Sequence, residues 1–470
     1  MKRPTTFPTS MREFLRTLHQ ALGPDSGLVL VGGAVRDLLL DRPSPDWDLA
    51  TALLPGEVMD RARAAGLRVI PTGLQHGTVT VMVGAKGFEV TTFRGDEAYV
   101  DGRRPESVRL GVALEEDLAR RDFTINAMAL PAQALDGGPW EPFLVDPFGG
   151  RGDLASGTLR AVGDPLERFG EDGLRCLRAC RFASQLDFDI EPGTLAAIPR
   201  RLEVAGKVSV ERVLAELTKL LCGLQPGKGL SALATSGLLG LWLAELQPMI
   251  GCLQNRYHAY PVWEHTLEVV RRTPPDPGLR WAALLHDCGK PARRSEDAQG
   301  HIHFYGHEPV SVRIAGEILA RLRASGALAR DVIALVAHHG THPGPEWGDP
   351  ACRRFLRRLR EDGLSLERWG AFRLADQSGK GMGDGTCLGE HREVMARLEA
   401  LARSNPPLDV KALALDGRAL MALANRKGGP WLGELQGHLL ERVLDEPGLN
   451  APGPLAELAR AFLTPGAASP

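Results

Sequence analysis

The residues best suited to chemistry lie in two groups. In DWDLAT, Asp46 and Asp48 are separated by one residue. On a strand, side chains at i and i+2 point the same way, so both carboxylates would face one side and Trp47 the other. Adjacent carboxylates repel unless a cation lies between them. Magnesium suits oxygen ligands, and two ions about 4 Å apart can activate a hydroxyl and stabilise a leaving pyrophosphate. Glu89 in FEVTTF, on a later strand, is the expected third carboxylate. Upstream, LVLVGG runs from a strand into Gly32-Gly33 and a helix, VRDLLL. Glycine there lets backbone N–H groups approach a phosphate, and Gly33 and Arg36 are placed to hold a triphosphate. A strand–Gly-Gly–helix is also a plain packing solution, so the carboxylates carry more of the argument.

Two further stretches add charge. LARRDFTINAMAL sets Arg120, Arg121 and Asp122 immediately before what reads as an apolar helix. RFGEDGLRCLRACRF spaces Asp172, Arg175, Arg178 and Arg181 three apart. At about 100° per residue each step turns 60°, so Asp172, Arg175 and Arg178 share a face while Arg181 is expected on the opposite side. The second group is His265 in VWEHTLEVV, His286-Asp287 in ALLHDCGK and Asp376 in RLADQSGKG. On separate helices these could close around one divalent ion of Mn, Fe, Ni, Zn or Mg, with His307, His338 and His339 left for a second ion or a phosphate.

The elements that must position these groups change character along the chain. Up to about residue 150, LVLVG, DLAT, GTVTVMV and FEVTTF read as strands between short helices, which predicts a small α/β domain. Beyond about 165 helical periodicity takes over, broken by Gly/Pro turns such as QPGKG and TPPDPG. The 470 residues, 43% hydrophobic and 24% charged, suit a soluble chain of about three domains. No run of 18 apolar residues appears, so no membrane span is expected. Seven cysteines without a CxxC pair indicate neither a disulfide framework nor a zinc ribbon, and a cytoplasmic setting is expected. A net charge of −2 means that any polyanion must bind a local patch. Region 251–380 holds 19 basic against 15 acidic residues, and Arg353, Arg354, Arg357 and Arg358 are the candidate RNA-binding patch. A solvated helix face would have the same pattern.

Taken in order, GGAVRD, DWDLAT, RRDFTINAMAL, DPFGG…DL…LRAVGDP and EDGLRCLRACRF resemble the class II tRNA nucleotidyltransferases and their bacterial poly(A) polymerase relatives, of the polymerase-β-like superfamily. The resemblance runs from about residue 28 to 220. It implies an α+β chain: a nucleotidyltransferase head (1–153), a helical neck and body (154–250), an HD domain (251–385) and a helical tail (386–470). It implies template-independent addition of C, C and A to tRNA 3′ ends from CTP and ATP. Magnesium would sit on Asp46 and Asp48, with Glu89 completing the set. Gly33 and Arg36 would hold the triphosphate, and Arg121 the incoming nucleotide. Asp172 and Arg175 would act as a protein template for the base, with Arg178 and Arg181 in support. VSVERVLAELTKLL resembles the neck motif, with Arg212 structural.

The template idea passes a chemical check. Cytosine and adenine both offer an exocyclic amine beside a ring-nitrogen acceptor, which matches one carboxylate plus one guanidinium. Guanine and uracil present a carbonyl beside a ring N–H and would leave both protein groups facing like partners. Enzymes adding only A, only CC or a poly(A) tail remain open. RGDEAYVDGRRPESVRLGVALEEDL resembles the flexible loop of members that add the final A, which weighs against a CC-only enzyme. The order H…HD…D resembles the HD phosphohydrolase superfamily and implies a metal-dependent centre hydrolysing phosphomonoesters or cyclic phosphodiesters. An HD phosphohydrolase with a merely RNA-binding N-terminal domain is the second alternative. Retention of both Asp46 and Asp48 argues against it.

Overall fold

The computed structural model describes residues 9–44, 47–96, 108–135 and 139–464. They form two compact units, Met1–Gln247 and Pro248–Pro470. The division between them, at Gln247–Pro248, falls three residues before the expected end of the body at 250.

In the first unit the strands are β1 (Val29–Val31), β2 (Leu49–Thr51), β3 (Arg68–Gly73), β4 (Thr78–Val83), β5 (Lys86–Thr92), β6 (Arg94–Asp96), β7 (Val108–Leu110) and β8 (Ala129–Pro131). Six of them make one sheet in the order β3-β4-β5-β2-β1-β8, and β6 and β7 pair as a separate hairpin. β2 and β5 are parallel, whereas β1 is antiparallel to both of its neighbours. Alternation sets the register of β4: Val79, Val81 and Val83 are buried, and Thr78, Thr80 and Met82 between them are half-buried. The helix Thr9–Leu22 covers the sheet with Met11, Leu15, Leu18 and Leu22, spaced for one helical face, and Phe14 meets Phe88 at 5.6 Å between ring centroids.

Two expectations fail here. FTINAMAL is not a helix: Thr124–Asn126 is a single tight turn, and Ala129–Pro131 continues as β8 beside β1. A short apolar run fits a buried strand as well as a helix, and pairing with β1 decides. Asp48 does not lie on β2 but immediately before it, where its carbonyl accepts from the Val31 N–H. Asp46 lies outside the described residues, as does most of the loop segment between β6 and β7.

Helices fill the rest of the unit. Leu174–Leu186 buries most of its length against Val210–Leu221 and Pro226–Thr235. Its start packs so closely that a Cβ on Gly173 would fall 2.4 Å from the Val204 carbonyl oxygen. A parallel pair of two-residue strands, Thr158–Leu159 and Asp189–Ile190, was not anticipated.

Among the described residues the second unit is helical apart from a hairpin of Ser295–Glu296 with Ile302–His303. Its tail has its own core of Leu420, Leu435, Leu439, Val443 and Leu455. The helix Asp349–Glu361 packs on Pro430–Asp445, which corrects the reading of the arginine patch. Arg353 donates to the Leu444 carbonyl at 2.9 Å. Arg354 pairs with Glu441 and Asp445, and Arg357 with Glu361 and Glu441, all at 2.6–2.9 Å. Arg358 alone makes a different contact, lying 6.0 Å from the Phe355 ring centroid. Three of the four thus join the tail to its neighbour instead of forming a free basic face. Among the described residues no helix is long and apolar enough to cross a membrane.

Candidate functional site

A cavity of about 540 Å³ in the first unit is lined by Gly33, Arg36, Asp48, Glu89, Arg121, Asp172, Arg175, Arg178 and Arg181. These are all the residues given a catalytic or nucleotide-binding role in the sequence except Asp46, and Arg120, Asp122 and Arg212 line the same cavity. The parallel pairing Leu49↔Val90 sets Asp48, immediately before β2, beside Glu89 of β5, both solvent-exposed. Gly32 has φ +68°, and a Cβ there would lie 2.7 Å from Arg121 Nη1 and 3.9 Å from Asp48 Oδ2. Any side chain at Gly32 would therefore intrude where cation and carboxylate approach each other.

The arginines are held by acids that the motif reading did not single out as their partners. Asp117, 1% exposed, takes Arg120 at 2.9 Å on Oδ1 and Arg121 at 3.0 Å on Oδ2. Burial alone would raise its carboxyl, but the charges of Arg120 and Arg121 outweigh burial and hold it below the usual range. Asp122 accepts from Arg178 Nε at 2.7 Å and from the Asn126 amide at 3.1 Å. Arg178, Asn126 and Arg175 likewise overcome its burial and lower its pKa far below the usual value. Arg36 donates to Asn126 Oδ1 at 2.8 Å and to Asp37 at 2.9 Å. Arg181 is buried and pairs with Glu216 at 2.5 Å; burial, then Arg178, pushes its guanidinium down to about 10. At that value it is still cationic at neutral pH.

Arg181 does not turn away as the helical count suggested. Its guanidinium carbon lies 3.8 Å from the Phe182 ring centroid, with those of Arg36 and Arg178 at 5.2 and 5.3 Å. The count failed because Asp172 is extended (φ −141°, ψ 110°) and the helix begins only at Leu174. One aromatic ring thus gathers three guanidinium groups, each of them also paired with a carboxylate: Arg36 with Asp37, Arg178 with Asp122 and Arg181 with Glu216. Phe182 and Glu216 were missed by sequence reasoning. The available signal was a glutamate on the same face as Val213, Leu217 and Leu220 of an amphipathic helix, where a charge must find a buried partner.

At the expected template pair, Asp172 Oδ1 accepts from the Leu174 N–H at 3.0 Å and Oδ2 from Arg212 at 3.1 Å. Arg212, expected only as structural, therefore orients the carboxylate. Arg175 donates to the Arg168 carbonyl at 3.1 Å, Glu171 at 2.5 Å and the Arg120 carbonyl at 2.8 Å. Each carboxylate oxygen can accept again, and a guanidinium has five N–H groups, so both residues keep capacity for a base.

The second unit assembles a different centre. His265, His286 and Asp376 form one cluster and Asp287, His307 and His339 another, each with its ligand atoms within 4.8 Å. Asp287 sits between them, Oδ2 at 3.2 Å from His286 Nε2 and Oδ1 at 3.4 Å from His307 Nε2. His338 joins neither, because its Nε2 meets Asp362 at 2.7 Å.

The ring nitrogens test whether an ion fits. Nδ1 of His265, His286, His307 and His339 faces the carbonyl of Gly379, Ala283, Phe304 and Val336 respectively, at 2.6–3.2 Å. A carbonyl only accepts, so each Nδ1 is the donor, which leaves Nε2 facing inward as the ring's lone pair for an ion. Those lone pairs face each other at 3.4 Å (His265–His286) and 3.2 Å (His307–His339). Asp376 Oδ1 adds a carboxylate 3.2 Å from His265 Nε2. Such a set of acceptors suits divalent cations.

A head of this topology with carboxylates and arginines around one cavity defines a nucleotidyltransferase-type architecture. Residues 28–160 match the family described as the poly A polymerase head domain, 187–250 the probable RNA and SrmB-binding site of polymerase A, and 257–371 the HD domain. A CCA-adding enzyme of Geobacillus sp. is 34% identical over 415 residues, covering 88% of this chain and 87% of that one. The chain belongs to the CCA-adding enzyme family. It spans about half the length of other relatives it matches: the CCA-adding enzyme of Pediococcus pentosaceus is 47% identical over 208 residues, 44% of this chain and 50% of that one. The solved structure of Bacillus stearothermophilus CCA-adding enzyme in complex with CTP aligns with a TM-score of 0.70 and 28% identity, over 97% of this chain and 98% of that one.

Proposed function

We propose that the chain adds C, C and A to the 3′ end of tRNA, taking CTP and ATP as donors and magnesium at the head. The supporting observation is that one cavity holds Asp48, Glu89, the Asp172–Arg175 pair and three arginines on Phe182. Asp48 and Glu89, with Asp46, would hold magnesium, which activates the tRNA 3′-hydroxyl and steadies the departing pyrophosphate. Arg36, Arg178 and Arg181 bind the triphosphate, while Arg121 orients the nucleotide. Asp172 accepts the exocyclic amine and Arg175 donates to the ring nitrogen, so a C or A is held for in-line attack. The domain limits expected from the sequence, head 1–153, body 154–250, HD domain 251–385 and tail 386–470, are kept as part of this reading. The compartment we assign is the cytoplasm, where the tRNA is met. The test offers each nucleoside triphosphate singly to a tRNA lacking its terminal CCA. Label from CTP is expected, with none from GTP or UTP; incorporation of all four would contradict the reading.

A second activity is favoured by the inward lone pairs of the HD cluster. His265, His286, Asp287 and Asp376, with His307 and His339, would bind one or two divalent ions that activate water against a phosphate ester. His286→Ala is expected to cost the protein most of its bound transition metal, read by elemental analysis, and its phosphatase activity. Nucleotide addition in magnesium should remain within about twofold. Metal content equal to that of the parent would contradict the site.

A further inference from the structure

Asp117 lines the head cavity, yet it is 1% exposed and none of the roles proposed above uses it. It lies on the short helix Leu114–Ala119, and its two oxygens serve different neighbours. Oδ1 accepts from the Arg94 N–H at 3.2 Å and from Arg120 Nε and Nη2 at 3.1 and 2.9 Å. Oδ2 accepts from Arg121 Nη2 at 3.0 Å. Arg94 opens β6, separated by Phe93 alone from β5, the strand of Glu89. The carboxylate is therefore tied to backbone as well as to two long side chains.

Each oxygen leads to a different end of the nucleotide site. From Oδ2 the path is short: Arg121 lies against Gly32, where a Cβ would come 2.7 Å from its Nη1 and 3.9 Å from Asp48 Oδ2. From Oδ1 it runs through Arg120, whose carbonyl accepts from Arg175 Nη2 at 2.8 Å. Arg175 is the group assigned above to the base. A free arginine side chain has many rotamers, and charge-assisted bonds to a fixed carboxylate select among them.

We propose that Asp117 is a positioning residue that couples the two ends of the nucleotide site: one oxygen sets Arg121 beside Asp48, and the other, through Arg120, sets Arg175 at the base. Asp117 touches neither substrate nor metal and acts only through these arginines. The coupling rests on the roles proposed above for Arg121 and Arg175. Rate and base choice then become separable at one residue. In Asp117→Asn the amide keeps a single acceptor oxygen. Facing Arg94 and Arg120 it meets three N–H donors, and facing Arg121 only one, so the amide nitrogen turns to Arg121 and releases it.

The test is single-turnover extension by the full chain, in magnesium, of a tRNA lacking its terminal CCA, with CTP or UTP. A displacement of about 1 Å in such a site costs on the order of a hundredfold. Asp117→Asn is expected to slow the reaction at saturating CTP about a hundredfold and to keep the preference for CTP over UTP within about twofold of the parent. Asp117→Ala frees both arms and is expected to lower that preference about tenfold as well. Adding Asp117→Asn to Arg121→Ala should slow extension no further, whereas a merely structural aspartate would multiply the two losses. Arg120→Ala leaves the Asp117–Arg121 pair in place and is expected to lower the preference about fivefold. That variant carries the test if the melting temperature shows the Asp117 variants to be unfolded. Arg121→Ala at the parent rate would overturn the role proposed for Arg121 and the coupling with it. A slow Arg121→Ala protein beside Asp117→Asn at the parent rate would overturn the coupling alone. So would multiplied losses in the double variant, or an unchanged preference in Arg120→Ala where Asp172→Ala loses it.

Discussion

Asp48→Asn is expected to abolish nucleotide addition, with a loss on the order of a thousandfold or more in the single-turnover rate. The substitution keeps shape and removes one unit of negative charge from the place where the start of β2 lies beside Glu89 of β5. If magnesium is held there as proposed, a metal-assisted displacement would draw several kcal/mol from it, and each 1.36 kcal/mol is a factor of ten in rate. Because Asp48 is exposed and its backbone carbonyl, which the substitution leaves in place, makes the bond to Val31, folding should be unaffected. Melting temperature and tRNA affinity are therefore expected to match the parent, as is hydrolysis at the HD centre. Activity within tenfold of the parent would show that Asp48 is not a magnesium ligand.

The second large effect concerns choice of base. On the proposed reading, CTP and ATP would meet an acceptor at Asp172 and a donor at Arg175, whereas UTP and GTP would bury two mismatched pairs. Sites built to hydrogen-bond a substrate can reject an analogue by about 10⁴-fold. Asp172→Ala is expected to lower kcat/KM for CTP and ATP and to shrink the ratio over UTP and GTP by about a hundredfold or more. The former loses a bond, and the latter lose a repulsion. Asp172→Asn should raise UTP use above that of Asp172→Ala, because an amide N–H can meet the uracil carbonyl. Arg212→Ala should move the ratio in the same direction but less, since Leu174 N–H still holds the other oxygen of Asp172. An unchanged ratio in Asp172→Ala would assign base choice elsewhere.

Much of this site was legible because its signals are local. Gly-Gly followed by arginine, the D-x-D and the E-D-x-x-R spacing each lie within a few residues, and backbone geometry constrains what such a short stretch can do. The misreadings arose where a distant element decides. FTINAMAL became a strand because β1 offered it an edge. Arg354 and Arg357 lost their expected freedom to Glu441, more than 80 residues away in sequence. Arg181 was assigned by a count that began outside its helix. The cluster histidines were found as types in order, but only the fold separated His339, which faces His307, from its neighbour His338, which turns to Asp362. The partners Asp117 and Glu216 were hidden for a related reason: a buried acid on a helix looks like a surface one until its arginine arrives.

The most direct measurement is single-turnover extension of three tRNAs, ending at the discriminator base, after CC and after CCA, with CTP and ATP supplied separately and together. The expected result is ordered addition of C, C and A to the first, A alone to the second and nothing to the third, all lost in Asp48→Asn. Extension of only the CC-ended tRNA would reduce the activity to A addition. Failure to extend any of the three would contradict the account of the head.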